Sequence, residues 1–529
     1  MAEYDTAKLK QRRNVAKRER DSFQPLMDDV YRYSIPFRKS TRDTGTGQTR
    51  VDQVFDHTAI DSAFRFAGKV QQDFWPAGEE NFELEPGPIV LNQGEREQMA
   101  QQLVPISKVA TAFFDNGDWD MSFHEMALDL VAGTGAMLMN PSNDPDTLWE
   151  PISVSIDELI LEGGANNKIS GIFWCRKMSI RVLNETYPDG KYSQKLRDLL
   201  AKKPEDEFDV YIDTIYDRKR RRWDMIVWCQ KQDEIIYQAE SRTCPWLTPR
   251  YFRVPGETYG RGVGMLSLPT TKTLNTAARL QLQAAAIAML GIYTAVDDGV
   301  FNPDLAPIEP GVFWKVARNG GALGPSINRF PDPRLDLSNM VLQDMRMGVK
   351  ATMMDQSLPP DGAAVRSATE ILERVKRLAS DHIGAYGRLI KEITIPAVKR
   401  VIELAYNRGL LPNEIPIDQL LIRIKVKSPL AMAREAQRIE KVVQWLQMVI
   451  TLMRQGAGRV AHLELALSDI GRQLGVPVNY IVTEEERQQM DQQQQQQAAA
   501  AVALQAAGEA AGVPGAAQTA ATVAGAGGQ

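Results

Sequence analysis

Apolar positions recur at helical spacing along much of the chain, and one central stretch switches to alternation. Residues 1 to about 145 read as helical. His57 to Trp75 places Ile60, Phe64, Ala67 and Gln71 near a 3.6-residue period, and Pro76 stops the run. A second helix is predicted over about Gly94 to Asn116 and a third over about Ser122 to Gly133. From Trp149 to Pro255 the pattern changes. Ile152, Val154 and Ile156 alternate with Ser153 and Ser155, the period of a half-buried strand. Ile169 to Met178, Phe208 to Tyr216, Trp223 to Gln230 and Glu234 to Ala239 follow as short strands separated by polar connections. One connection holds the basic run Arg218 to Arg222. The expectation is an α+β chain, mainly helical, with an antiparallel sheet at about 149–255 set between helical segments.

Beyond the sheet, Tyr259-Gly-Arg-Gly-Val-Gly264 leads into helix. The glycines lack the third glycine offset and the βαβ context of a dinucleotide cradle, so they read as a tight turn where backbones approach closely. The helix at about 267–290 carries Leu274, Ala278, Leu282, Ala285 and Met289 on one stripe, and Lys272, Asn275, Arg279 and Gln283 on another. A Gly- and Pro-rich stretch, 291–334, separates it from a helix at about 338–354. There Val341, Met345, Val349 and Met353 form the apolar face and Gln343, Arg346 and Lys350 the polar one. Asp355 to Val365, with Pro359-Pro360 and Asp361-Gly362, is a loop. Ser367-Ala-Thr-Glu370 has capping-box spacing and opens a helix running to about Arg408, which Pro396 should kink. A strand at about 420–427, an amphipathic helix with Ile439, Val442, Leu446, Val449 and Leu452, and a shorter helix at about 460–474 complete the ordered pattern. Past Glu484 the chain turns to Gln and then Ala and Gly, helical or a disordered tail.

At 529 residues the chain has room for three or four structural units. Its 62 Lys+Arg against 67 Asp+Glu give a formal charge of −5. No apolar run approaches the ~20 residues of a membrane span and no signal peptide is evident, which points to a cytosol-like compartment. Lys8, Lys10, Arg12, Arg13, Lys17, Arg18 and Arg20 allow a nucleic-acid arm or a solvated helix face, and the solvated face is the preferred reading. Cys175, Cys229 and Cys244 are odd in number and widely spaced, as reduced thiols are, and the four histidines lie far apart. No P-loop, HExxH or GxSxG motif is present. The expectation is therefore a non-enzyme with no cofactor, no metal site and no catalytic residue. The alternative is a metal-dependent nuclease built from scattered carboxylates such as Asp28-Asp29, Glu79-Glu80 and Asp297-Asp298.

Tyr31-Arg-Tyr-Ser-Ile-Pro36 in a helical N-terminus, Gly256-Glu-Thr-Tyr-Gly-Arg-Gly262 before a helix, Ala368-Thr-Glu-Ile371 after a proline-rich loop, and Thr483-Glu-Glu-Glu-Arg-Gln-Gln489 leading into a Gln and Ala tail occur in that order. The order and spacing resemble the portal, or head-to-tail connector, of short-tailed (podovirus-type, T7-like) bacteriophages, over nearly the whole chain. The resemblance implies a ring, usually of twelve subunits, at one capsid vertex, with a central channel for double-stranded DNA. It implies a wing at 1–266, stem helices at 267–290 and 336–354, and a clip at 291–335. A tunnel loop at 355–366, a kinked helix at 367–419 joining wing to crown, a crown at 420–482 and a barrel helix or tail at 483–529 complete the assignment.

Carried over to this chain, the resemblance places Leu274, Ala278, Leu282, Val341, Met345 and Val349 in stem packing. Arg346, Lys350, Asp355, Gln356, Ser357, Leu358, Pro359, Pro360, Asp361 and Gly362 fall at the channel or tunnel loop. Asp297, Asp298, Phe301 and Trp314 fall in the clip, where terminase or tail would dock. Implied partners are further copies of the chain, the terminase large subunit, the major capsid protein, scaffolding protein, and tail adaptor and internal core proteins, with no membrane. The implied location is the head-tail junction of the virion, after synthesis in the host bacterial cytoplasm. Pro359-Pro360 departs from some relatives and stiffens the loop, which weighs against a mobile DNA grip. Twelve copies would carry about −60, so channel walls with few cations suit sliding DNA. Arg346 and Lys350 fit either such a wall or intersubunit ion pairs.

Overall fold

The computed structural model describes residues 4–38, 53–89, 93–229, 233–290, 293–295, 327–329, 335–355, 383–411, 420–427 and 442–449, apart from single positions within them, and residues 451, 467, 470 and 471. The chain packs as two compact units, one formed by Met1–Glu79 with Ala112–Glu414 and the other by Glu80–Thr111 with Ile415–Gln529.

In the first unit a five-stranded antiparallel sheet runs β4 (Leu159–Gly163), β5 (Ile169–Ser179), β6 (Glu207–Asp217), β7 (Arg222–Cys229) and β8 (Glu234–Ser241), each strand beside its neighbour in sequence. β5 to β8 lie where the sequence predicts short strands, whereas the alternating Ile152, Val154 and Ile156 fall outside this sheet, Ile152 in the strand Trp149–Ser153 of another sheet and Ile156 in a 3-10 turn, Ile156–Glu158. Two short helices, α5 (Ile180–Thr186) and α6 (Gln194–Lys202), are inserted between β5 and β6, each capped by a serine, Ser179 and Ser193.

Helix α1 (Thr6–Ser34) lies on this sheet, with Leu9 and Ala16 packed against Phe173, Ile215, Ile226 and Trp228. Its basic residues fit the solvated-face reading only in part. Lys8, Lys17 and Arg18 are exposed, as on a solvated face. The others dock the helix. Arg12 pairs with Glu162 at 2.6 Å, Arg20 with Asp157 at 3.1 Å and Arg13 with Asp213 at 3.4 Å, while Lys10 pairs with Asp233. The Arg13 guanidinium also sits 4.0 Å from the centre of the Tyr211 ring. Burial pushes the Asp213 carboxyl up to about 6, with Arg13 and the indole N–H of Trp228 (2.7 Å) pulling the other way. An unfolded Asp titrates near 3.9. The native state therefore takes up the extra proton first, and stability from this group is present below about pH 4 and lost as pH rises through about 6. Asp213→Asn cannot titrate. Wild type is expected to gain about 2–3 kcal/mol on the variant between pH 7 and pH 4, measured by denaturant unfolding. Parallel pH profiles would contradict this.

Two strands interrupt the helical reading of residues 1–145. β2 (Met137–Pro141) pairs with β3 (Trp149–Ser153) and β9 (Trp246–Leu247). β1 (Phe82–Pro86) belongs to the second unit and pairs with β12 (Ile422–Val426). In β1, Phe82 and Leu84 are buried while Glu83 and Glu85 point the other way, to Lys427 at 3.1 Å and Lys425 at 3.1 Å. Five residues of alternation, too short to stand out among helices, close this ladder because the partner strand supplies matching cations. Also in the second unit, helix 442–449 buries Leu446 and Val449 beside Val442 and Ile470.

Helix α2 (Thr58–Phe74) is where expected, but its face is rotated. Ala59, Ala63, Phe66, Ala67 and Val70 are inside, and Phe64 is 44% exposed and stacked on Phe37. Helix α4 (Trp119–Asp129) packs beside α2, and Trp75, Phe114, Trp119 and Trp149 meet edge to face or tilted around their junction. Helix α3 (Gln93–Asp115) matches its prediction within a residue.

Of the long helix expected at 367–408, residues 367–382 lie outside the described residues. The remainder is helix Ile383–Leu389, a π-helical turn Ile390–Thr394 and helix Ile395–Asn407. The irregularity predicted at Pro396 takes the form of that π turn, because a proline offers no N–H to the carbonyl four residues back and crowds it. Glu392, on the turn, ion-pairs with the buried Arg250 at 2.6 Å and accepts the Arg250 backbone N–H at 2.8 Å.

Candidate functional site

The segment Gly256 to Gly264 fixes the base of α7 (Val263–Leu290). Thr258 donates its backbone N–H and its hydroxyl to the two carboxylate oxygens of Glu19 on α1, each at 2.8 Å. Tyr259 is fully buried, and its phenolic oxygen accepts the Leu161 N–H of β4 at 2.9 Å. Gly260 donates to the Thr134 hydroxyl at 2.8 Å. Gly262 lies directly against the turn after α4. A Cβ there would stand 2.1 Å from the Val131 carbonyl oxygen and 2.5 Å from the Gly133 nitrogen. The glycines serve close backbone approach, as the sequence predicts, and one short motif joins α1, the sheet and the α4 turn to the start of α7.

From this base α7 runs out beside α8 (Leu335–Thr352), which packs on α7 and α2. The first half of α7 is interior: Leu274 and Ala278 are buried. Lys272 pairs with Asp29 at 2.5 Å, and Asn275 accepts the Phe55 N–H at 2.7 Å and donates to the Gln53 carbonyl at 2.9 Å. Toward its end the helix emerges, with Leu280 and Leu282 each 58% exposed and Met289 86% exposed. On α8, Leu342 and Val349 are buried, as is Met353 just past its end, whereas Met340, Val341 and Met347 are at least half exposed. α8 is thus apolar on the side that packs and again on a side that meets water, where a surface helix is normally polar, whereas on α7 the packed stripe of Leu274 and Ala278 itself runs on into exposed Leu282 and Met289.

The stem-packing residues expected from sequence therefore divide. Leu274, Ala278 and Val349 are inside, Met345 is half-buried, and Leu282 and Val341 are exposed. The interior face of α8 is shifted by one position, to Leu342. The exposed Leu280, Met340 and Met347 were missed. Their signal was present in the sequence: apolar residues a full heptad apart, 340 and 347, on the side opposite the recognised stripe.

Arg346 and Lys350, left open between channel wall and intersubunit pair, differ. Arg346 makes an intrachain ion pair with Asp56 at 2.8 Å, and Lys350 is exposed. Burial works against ionisation of Asp56, but hydrogen bonds from Thr58 and Arg346 prevail and hold its carboxyl below the usual range. Asp355 is buried. Its carboxylate accepts the Ser62 hydroxyl at 2.8 Å and faces Arg65 at 3.2 Å, so it ties the end of α8 to α2. α8 stops in a Schellman arrangement, with the Asp355 N–H on the Lys350 carbonyl at 2.8 Å, the Met354 N–H on Ala351 at 3.2 Å, and Met354 left-handed at φ 58°. Gln356, Ser357, Leu358, Pro359, Pro360, Asp361 and Gly362 lie outside the described residues, as do Asp297, Asp298, Phe301 and Trp314. Of the segment between the two helices, the structure describes a two-stranded pair, β10 (Tyr293–Ala295) with β11 (Ile327–Arg329).

Among the described residues, no group of three or more His, Cys, Asp or Glu side chains converges as a metal site, and no helix is long and apolar enough to cross a membrane. Of the acid pairs considered for a nuclease, Asp29 is paired with Lys272, Asp28 accepts from Gln24 at 2.9 Å and Glu80 faces Lys427 at 3.4 Å.

From this clasped base run two helices that leave apolar side chains exposed. Residues 6–482 match the family described as "Bacteriophage head to tail connecting protein", and the chain belongs to that family. Among solved structures it is similar to a chain from "Neck of empty GTA particle computed with C6 symmetry", at 12% identity and a TM-score of 0.35, with 83% of this chain and 98% of that chain covered. No curated protein matches.

Proposed function

We propose that this protein is the portal of a short-tailed, podovirus-type bacteriophage: a ring, of twelve subunits in the usual arrangement, at one capsid vertex. It passes double-stranded DNA during packaging and ejection and performs no catalysis. The observation that carries this reading is the exposure of Leu280, Leu282, Met340, Val341 and Met347 on two helices that already pack against each other. Apolar side chains left bare on both members of a helix pair are satisfied when neighbouring copies close a ring by a repeated head-to-tail contact. In this reading α7 and α8 are the stem. Residues 291–335 are the clip that meets the terminase large subunit and later the tail adaptor, the loop at 355–366 faces the channel, and 420–482 form the crown. The major capsid, scaffolding and internal core proteins complete the partners. Arg346, spent on Asp56, leaves Lys350 as the cation offered to the channel, which suits a wall that must let DNA slide.

A variant with residues 356–362 shortened, leaving the Asp355 anchor intact, is expected to assemble rings of unchanged mass while packaging of DNA into proheads falls at least about tenfold. Normal packaging by that variant would remove the loop from the mechanism.

A further inference from the structure

The basic run Arg218 to Arg222 plays no part in the reading above. It forms the turn between β6 and β7, where Asp217 faces Arg222 across the ladder and residues 218–221 make the connection. The five cations are not equivalent. Arg220 folds back onto the sheet, ion-pairing with Asp217 at 2.9 Å and with Asp224 and Glu240. Its hydrogen bonds hold the Asp217 and Glu240 carboxyls below their usual range, so these acids are ionised and already engaged. Asp217 also accepts the backbone N–H groups of Lys219 at 2.8 Å and Arg220 at 3.3 Å, and Arg221 takes a left-handed conformation at φ 53°. The turn is thereby set, and Arg218, Lys219 and Arg221 project from it, exposed and with no ion-pair partner among the described residues. Arg222, 45% exposed, reaches Glu240 only at 3.4 Å.

We infer that this turn is a phosphate-backbone contact surface for duplex nucleic acid, separate from the helices assigned to the channel. Three features select that partner. The three free cations sit on a turn whose geometry is fixed before binding, so little ordering is required. Two are arginines, whose planar guanidinium matches a phosphate. No large apolar side chain is exposed along the turn: the adjacent aromatics, Tyr216 and Trp223, face each other with ring centres 5.2 Å apart. A protein interface would want an apolar centre there. In a chain of net charge −5 the patch stands out by its sign.

The inference does not rest on the ring and is tested on the full-length protein. Binding of a fluorescein-labelled 30-bp duplex is followed by anisotropy from 50 to 200 mM NaCl for wild type, R218A/K219A/R221A and the charge-preserving R218K/R221K. The triple variant is expected to bind about tenfold or more weakly at 100 mM salt. The slope of log K against log salt should become shallower by about 2 to 3, while R218K/R221K keeps the wild-type slope. Equal affinity and slope in the triple variant, with an unchanged thermal unfolding profile, would overturn the inference. So would binding of polyglutamate at least as tight as that of the duplex at matched charge concentration, which would make the turn a docking site for acidic protein.

Discussion

Gly262→Ala is expected to leave little folded protein. The added methyl would lie 2.1 Å from the Val131 carbonyl oxygen, and 2.5 Å from both the Gly133 nitrogen and the Leu130 carbonyl oxygen. All three are backbone atoms, which cannot swing aside as the end of a side chain can. Separating the strands of chain would also pull Thr258 from Glu19 and Gly260 from Thr134. Overpacking against side chains costs about 1–3 kcal/mol, and here the obstacle is main chain, so a loss above about 3 kcal/mol is expected. The measurement is the soluble fraction and thermal midpoint beside Gly68→Ala, a glycine of α2 with nothing within 4 Å of its added methyl. Gly68→Ala should be neutral or slightly stabilising. Equal behaviour of the two variants would mean that the Gly262 contact does not organise the base of α7.

Val341→Glu with Met347→Glu is expected to do the reverse, sparing the fold and destroying assembly. Both side chains are at least half exposed in the single chain, so the charges remain in water there and the thermal midpoint should move by no more than a few degrees. In a ring each charge would be buried without a partner at every subunit contact, at several kcal/mol per contact. Mass measurement should find monomers where wild type gives rings. Rings of normal mass from the double variant would show that both positions of α8 face solvent in the assembly.

Much of this arrangement was legible in the sequence because it depends on local chemistry. The glycines after Tyr259, the irregularity before Pro396 and the short apolar and aromatic runs of β5 to β8 follow from backbone sterics and residue type, which a short window contains. The registration of helix faces was less legible. On α8 the apolar residues occupy two sides, so a single stripe could be drawn through Val341 or through Leu342, and packing chose Leu342. Pairings across long sequence separations could not be read at all. Nothing near Arg13 announces Asp213, and nothing near Arg346 announces Asp56. The same cause hid β1, whose five residues gain their meaning from β12, more than 300 residues on.

Everything proposed for the two helices requires that copies of this chain close a ring around a channel. Electron microscopy of the purified full-length protein, with end-on views classified for rotational symmetry, tests it most directly. Rings of about twelve subunits around a hole wide enough for a duplex are expected, lost in the Val341→Glu, Met347→Glu protein. Monomers or small closed oligomers without a channel, persisting when scaffolding protein is supplied, would contradict it.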